Sequence, residues 1–538
     1  MGRCIFDLRV YLSIAAPPVK AAGAGACAPD GSRRNLGASR PNGGKERAYT
    51  MRRTATVLVV LQLAAGATSA RAQDGPRGRE ARLGLADSLA VWYALGINAH
   101  HLCAGLWVVG RDHARAPEAV VAEDVARFPA FRREEGFSFA VDTAGRIATV
   151  SDARVGSRRA KYSGDQGCAI LPAGASDVFF DPVTVTGGLP DAATQAWPAG
   201  DRDAAAHFDD VDHAALEAAL DWAFDDANLR RPQNTRGVVA VYRGRIIAER
   251  YAPGWGPYTP QISWSMGKSI AATLIGVLVQ QGSLALDQPA PLAEWSGARD
   301  PRRVIRVSDL LRMSSGLDFD NFGLNPATSY VAANEHFRIY FDAVDVAAHS
   351  VNQPLRFEPG AVWRYRNSDP LSLMAIARRI VEGRGEDFLR FPQRALFDRI
   401  GARSFVLETD AWGNFIITGF DYGGTRDWAR LGLLYLRNGV WNGERILPSG
   451  WSEFVATPAP GDPSRGYGGL FWLNRGGAMA RLPEDAYWAA GYMGQYTMIV
   501  PSRDLVVVRQ GPSGGGDGPW FEELVARILA ALPAESRR

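Results

Sequence analysis

The chain has 538 residues, of which 46% are hydrophobic and 22% charged, with a formal net charge of +3. That length accommodates two or more domains, and the composition is that of a folded chain rather than a low-complexity one. The positive balance lies in the first 72 residues, which hold 11 basic and 3 acidic groups. The remainder sets 49 basic against 54 acidic groups, a net −5, so nothing in it marks a nucleic-acid or anionic-membrane partner.

Residues 1–50 are rich in Gly, Ala and Arg without periodicity and read as a disordered upstream extension. From Met51 a basic start, an apolar run and the small-residue ending Ala70-Arg71-Ala72 follow one another. This is the pattern of a signal peptide over residues 51–72, cleaved before Gln73 and sending the protein to the periplasm or outside the cell. No membrane span is expected after cleavage, because the apolar run Ile270–Val279 is too short to cross a bilayer. Cys4 and Cys27 leave with the leader. Cys103 and Cys168 remain, both in segments that read as strands, and export permits a disulfide between them, with two buried thiols as the alternative.

Residues 73–203 read as a small N-terminal α/β region. It comprises a short helix Leu83–Leu95, a strand Leu102–Val109, a helix around Pro117–Phe131, and a hairpin Phe137–Val141 with Arg146–Val150 around Asp142-Thr143-Ala144-Gly145. A last strand ends at Cys168–Leu171. The Pro-, Gly- and Asp-rich stretch Gly187–Asp203 is the expected boundary with a second domain over residues 204–538. There His213–Phe224 is an amphipathic helix, and Val238–Tyr242 with Arg245–Tyr251 a hairpin. Ser308 should cap a helix Asp309–Met313, followed by a long loop from Leu317 to about Val331. Asp369 before Pro370 should start the helix Leu371–Val381, and Thr425 should cap Arg426–Arg437, which Asn438-Gly439 ends. Tyr467–Leu473, Tyr487–Gly491, Gln495–Pro501 and Leu505–Gln510 read as strands, with Ser502-Arg503-Asp504 as a turn, and Trp520–Leu532 closes as a helix. The fold class is α/β of the α+β type, one antiparallel sheet being assembled from both ends of the second domain.

Chemistry concentrates at Gln261–Gln281. Ser265 and Lys268 stand three apart at the start of an apolar run, the spacing that puts both on one face of a helix start. A serine hydroxyl attacks well only when a base removes its proton, and burial can make a lysine that base. Beyond the leader only Lys161 and Lys268 are lysine among 49 basic residues. A chain that writes arginine elsewhere has used, at 268, the cation that can release its proton. A second element, Tyr365-Arg366-Asn367, is the only Y-x-N; its phenol is another candidate for passing the serine proton, and its amide could orient a substrate carbonyl. Two decoys fail. Gly267-Lys268-Ser269 lacks the phosphate-loop glycine at Ile262, and Ser513 in a G-x-S-x-G pattern has no histidine after it, the last being His349.

From about Val211 to Leu532 the order of motifs resembles the serine β-lactamase, penicillin-binding protein and esterase superfamily. The carriers are S-M-G-K at Ser265–Lys268, L-L-R-M-S-S-G-L-D-F-D at Leu310–Asp320, W-R-Y-R-N-S-D-P at Trp363–Pro370 and G-Y-M-G-Q at Gly491–Gln495. Tyr365 points to the class C β-lactamase-like branch, and the wording around each motif looks most like its 6-aminohexanoate-dimer hydrolase and esterase members. The resemblance implies a β-lactamase/transpeptidase-like antiparallel sheet flanked by helices, with a helical subdomain. It makes Ser265 the acylated nucleophile and divides base and acid work between Lys268 and Tyr365. It builds the oxyanion hole from the backbone N–H groups of Ser265 and Gln495, with Gly494 allowing close approach, and sets Asn367 against a substrate amide. No cofactor or metal is implied.

Two positions depart from the pattern. Tyr492 stands where relatives offer lysine or histidine, and Phe322 replaces a loop tyrosine used for amide cleavage. The expectation is a secreted hydrolase of small esters or amides. The alternatives are a β-lactamase or D-Ala peptidase acting on cell-wall-like substrates, or a non-turnover penicillin-binding or sensor protein. Oligomeric state is not legible.

Overall fold

The computed structural model describes residues 85–127, 136–319 and 335–534. The extension, the leader and Phe322 lie outside them. All described residues fall in one compact unit.

Helix α1 (Leu85–Trp107) lies across an antiparallel sheet of β1 (Phe137–Asp142), β2 (Ile147–Asp152), β3 (Gly156–Tyr162) and β4 (Cys168–Ile170). The expected strand Leu102–Val109 is instead the last two turns of α1. The cause is two-sided burial: Leu95, Ala99, Leu102 and Cys103 pack on the small sheet, while Tyr93, Ala94 and Ile97 join the large core shared with residues after 203. With apolar side chains needed on both faces, no polar stripe marks the helix, and a short apolar window cannot be told from a strand. Cys103 therefore sits in a helix, and it is bonded to Cys168 in β4 with a Cα–Cα separation of 6.1 Å. The expected helix from Pro117 is a single turn, Pro117–Val120, continued by a wider π turn to Val125.

The part of the chain after Asp203 is built on a six-stranded antiparallel sheet. Two strands come early, β5 (Gly237–Tyr242) and β6 (Arg245–Tyr251), and pair at β5 with strands from the end of the chain. Among the intervening elements, in chain order, are β7 (Gln261–Ile262), helix α2 (Gly267–Gln280), helix α3 (Ser368–Gly383), β8 (Val406–Leu407), β9 (Asp421–Gly423) and helix α4 (Thr425–Leu436). The late strands are β10 (Trp472–Leu473), β11 (Tyr487–Gly491), β12 (Gln495–Val500) and β13 (Leu505–Gln510). The sheet order is β10-β11-β12-β13-β5-β6, with Val508 opposite Val239 and Val506 opposite Val241. Alternate residues serve opposite faces. Val239, Val241, Val506 and Val508 face the α2 core, whereas Val238, Ala240, Leu505 and Val507 meet the helices His213–Phe224 and Asp517–Ala530 on the outer side.

Several element starts differ from expectation. The helix near Ser308 runs Val307–Leu311, begun by the Arg306 N–H donating to Asp309 Oδ2 at 2.8 Å. Asp369 lies inside α3, which begins at Ser368 behind Asn367; its carboxylate accepts from Ser315 Oγ at 2.8 Å instead of capping. Thr425 is the first residue of α4, and its hydroxyl donates to Gln510 Oε1 at 2.9 Å. Of Tyr467–Leu473 only Trp472 and Leu473 form a strand, because Gly468 packs on the Val455 carbonyl, where a β-carbon would come within 2.1 Å, and the chain bends there.

Candidate active site

Ser265 lies on a 3₁₀ turn, Trp264–Met266, that runs directly into α2. Trp264 adopts φ +52°, a left-handed conformation that costs a bulky residue roughly 1–2 kcal/mol. Packing holds it there. Its indole meets Tyr492 edge-on at 5.7 Å and His101 of α1 at 5.6 Å. The N-terminal layer thus touches the residue next to Ser265.

Lys268 is the second residue of α2, and the helix is buried from Gly267 through Leu278. Its side chain is 1% exposed. Nζ donates to Ser265 Oγ at 2.9 Å and to the Thr418 carbonyl at 2.9 Å. Burial holds the amine well below the ordinary lysine range, while the nearby Asp421 pulls the other way. In the neutral amine the short contact to Ser265 reverses, the hydroxyl donating to the Nζ lone pair. The ring of Tyr365 lies 4.9 Å from Nζ. Burial raises the Tyr365 phenol above its ordinary range, partly offset by a hydrogen bond with Ser265.

The loop carrying Tyr365 is held at both sides. Arg364 N donates to the Met313 carbonyl at 3.1 Å and Arg366 Nη1 to the Leu317 carbonyl at 2.5 Å. Asp369 accepts from Ser315 Oγ and, at 3.0 Å, from Ser368 Oγ. Tyr365 also stacks on Trp472 at 5.4 Å, with Tyr467 perpendicular to both. Asn367 is fully buried beside this loop. Its Nδ2 lies 2.8 Å from His336 Nδ1, and among the described residues its Oδ1 has no hydrogen-bond partner. An unpaired buried carbonyl is costly unless something is brought to it.

From the opposite side come β11 and β12, paired at Gly491–Gln495. Gly491 packs on the turn before Ser265, where a β-carbon would lie 2.0 Å from the Ser263 carbonyl. Close approach is thus made by Gly491; Gly494, at φ +81°, turns the hairpin against Arg509 and Ser513. The Gln495 side chain is occupied structurally, Nε2 donating to the Gly511 carbonyl at 2.7 Å, which fixes the start of β12. Tyr492 is half-buried against Trp264, its phenol pushed up to about 12 by burial.

Ser265, Lys268, Tyr365 and Asn367 therefore gather from two distant segments, with Tyr492 and Gln495 entering on the facing hairpin. Cys103 and Cys168 lie apart, in the N-terminal layer. Ser513 is buried, donating to Gln233 Oε1 at 2.9 Å. Two residues were missed by the sequence reading. His336 follows the long loop, and Asp421 opens β9; neither stands at a motif spacing. Among the described residues no cluster of three or more His, Cys, Asp or Glu side chains is placed to hold a metal ion. The arrangement suits acyl transfer: a hydroxyl, a buried amine against it and a phenol beside both.

A family profile described as Beta-lactamase matches residues 226–515, more than half of the chain. The 6-aminohexanoate-dimer hydrolase of Paenarthrobacter ureafaciens is 24% identical over 317 residues, which cover 54% of this chain and 76% of that one. Among solved structures, a Bacillus anthracis protein described as a 6-aminohexanoate-dimer hydrolase aligns with TM-score 0.48 and 21% identity over 62% of this chain and 88% of its own. A family VIII carboxylesterase aligns with TM-score 0.45 and 16% identity over 60% and 98%. The chain belongs to the Beta-lactamase family and is a serine hydrolase of its β-lactamase and esterase type.

Proposed function

We propose that the protein hydrolyses small, neutral esters or linear amides through an acyl-enzyme on Ser265. The observation that carries this reading is the 2.9 Å contact of Lys268 Nζ with Ser265 Oγ, made by an amine sealed from water. Lys268, with Tyr365 beside it, takes the hydroxyl proton as Oγ attacks the carbonyl carbon. The backbone N–H groups of Ser265 and Gln495 hold the oxyanion, and the proton passes to the leaving alkoxide or amine as its bond to carbon breaks. A water deprotonated by the same groups then releases the acid. Asn367 Oδ1, without a hydrogen-bond partner among the described residues, is a natural acceptor for a substrate N–H.

Neutral substrates are favoured because Tyr492, an uncharged phenol, stands where a cation would meet a carboxylate. The relative's name, a hydrolase of the 6-aminohexanoate dimer, supports a linear amide of that size. Export to the periplasm or medium is part of the proposal; the leader supports it, and the Cys103–Cys168 bond suits an oxidising compartment.

The test is intact-mass labelling with a fluorophosphonate and with a penicillin. One fluorophosphonate adduct per chain, mapped to Ser265 and missing from Ser265→Ala, is the expected result. A penicillin adduct as well would move the reading to a β-lactamase or peptidase, and labelling by neither would make the protein a non-turnover binder.

A further inference from the structure

An acid outside every motif lies beneath the reacting pair. Asp421 opens β9, whose Gly423 and Tyr422 pair with Gln261 and Ile262, and its carbonyl accepts the Ser263 N–H at 2.8 Å. The strand is thereby joined to the chain two residues ahead of Ser265. Its carboxyl is fully buried and lies against Gly267: a β-carbon there would come 2.2 Å from Oδ1 and 2.3 Å from the Ile417 carbonyl. The glycine of S-M-G-K thus makes room for this carboxyl. The same strand's approach supplies the Thr418 carbonyl that Lys268 and, at 2.6 Å, the Tyr340 hydroxyl both bond.

A carboxyl buried this deeply costs several kcal/mol of solvation unless an opposite charge compensates it. Of the groups acting on it, Tyr365, Tyr340 and Tyr422 are phenols raised by burial and uncharged near neutrality, Ser263 donates its hydroxyl to the Gln261 carbonyl at 3.2 Å, and Glu408 is a second acid. Among these groups Lys268 is the one that becomes a cation when it takes a proton, and the His336 imidazole on which it acts is kept neutral by burial. Replacing such an acid by an apolar side chain would leave a simpler core. Its place under the turn that carries Ser265 points to the chemistry above it.

We propose that Asp421 is a positioning residue whose negative charge, one layer below the helix start, sets how tightly Lys268 holds the proton it takes from Ser265. The inference rests on the reading of Ser265 as nucleophile and Lys268 as base. In the step itself the Oγ–H bond breaks, an N–H bond forms at Nζ, and Oγ bonds the carbonyl carbon. Lys268 returns the proton to the leaving group as that group departs. Asp421 exchanges no proton in the step; it stabilises the transient ammonium in a place water does not reach. Burial raises the carboxyl well above, and drops the amine well below, its ordinary range, and each charge opposes the other's shift. The two therefore titrate as a pair.

The experiment is the pH dependence of kcat/KM for an activated ester, and of fluorophosphonate labelling, in wild type and Asp421→Asn. Losing the carboxylate weakens the grip of Lys268 on its proton, so the acid limb should move to lower pH. A nearby opposite charge shifts a pKa by about 1–3 units, so a displacement of about one unit is expected, with a slower plateau because the base is weaker. A profile superimposable on wild type overturns the inference while leaving the labelled serine in place. If wild type itself is not labelled at Ser265, the parent reading fails and this one with it. Should Asp421→Asn not fold, Asp421→Ser, which also removes the carboxylate and admits a water, is read by the same criteria.

Discussion

Arginine carries the charge of lysine but does not release its proton near neutral pH, so Lys268→Arg separates electrostatics from proton transfer. With Nζ 2.9 Å from Ser265 Oγ in a water-free setting, we expect kcat/KM on an activated ester to fall roughly 10²–10⁴-fold, the usual worth of a positioned base. Ser265→Ala should abolish turnover and phosphonate labelling together. Tyr365→Phe should slow turnover severely without removing the label, since the nucleophile survives. Near wild-type rates in Lys268→Arg would reassign the base to Tyr365. The sign of the pH dependence follows from burial. Lys268 must be unprotonated to act, and it is held well below its ordinary 10.5. Activity should therefore be already high near neutrality and fall on the acid side, rather than climbing until pH 10. A kcat/KM profile rising through pH 9–10 would show an ordinary, solvated lysine.

At the scale of elements, the start of α2 depends on the absence of a side chain at Gly267. An alanine β-carbon would collide with the Asp421 carboxyl and with the Ile417 backbone, and backbone cannot step aside cheaply. We expect Gly267→Ala to destabilise the fold by the usual overpacking cost of about 1–3 kcal/mol, read as a lower melting midpoint. It should also reduce kcat/KM by about 100-fold, because a shift near 1 Å at a reacting pair costs that much. Gly282→Ala is the control. Gly282 has φ +71° and no atom within 4 Å of its would-be β-carbon, so only local strain is added and activity should stand. A Gly267→Ala enzyme of full activity would mean that the turn does not need its present seat. The sequence showed S-x-x-K and its spacing, yet the reason for the glycine was illegible, because its partner lies 154 residues on. The same holds for His336 against Asn367. Motif reading finds side chains close in sequence; contacts closed by the fold carry no periodic signal. Alternating strands such as Gly237–Tyr242 and Leu505–Gln510 were readable, since each face has its own core, whereas α1, apolar on two faces, was taken in part for a strand.

For the molecule as a whole, the question is what the N-terminal layer does for a site built entirely from later residues. Helix α1 carries both links. His101 packs on Trp264, and its neighbour His100 stacks on Phe420 at 3.7 Å while Nε2 bonds Glu408 Oε2 at 2.5 Å. Glu408 also accepts the Cys168 N–H at 2.7 Å, so the cystine end of β4 is joined to the segment that leads to Thr418 and Asp421. Burial keeps His100 neutral, at about 3, and raises Glu408, so the contact operates without a net charge to be screened by salt. The Cys103–Cys168 bond spans a sequence separation of 65 residues, and closing a loop of that length contributes about 4 kcal/mol in the chain-entropy model. Reduction, or Cys103→Ser with Cys168→Ser, should therefore lower the melting midpoint clearly. At room temperature ester turnover should survive, because the apolar packing of α1 on its sheet remains, and on heating activity should vanish together with structure at the lower midpoint. The check is a thermal melt followed in parallel by circular dichroism and residual activity, with and without reductant. An unchanged midpoint would show that packing alone secures the layer. Activity lost on reduction far below the melt would instead mean that the layer holds Trp264, and through it Ser265, more tightly than it holds itself.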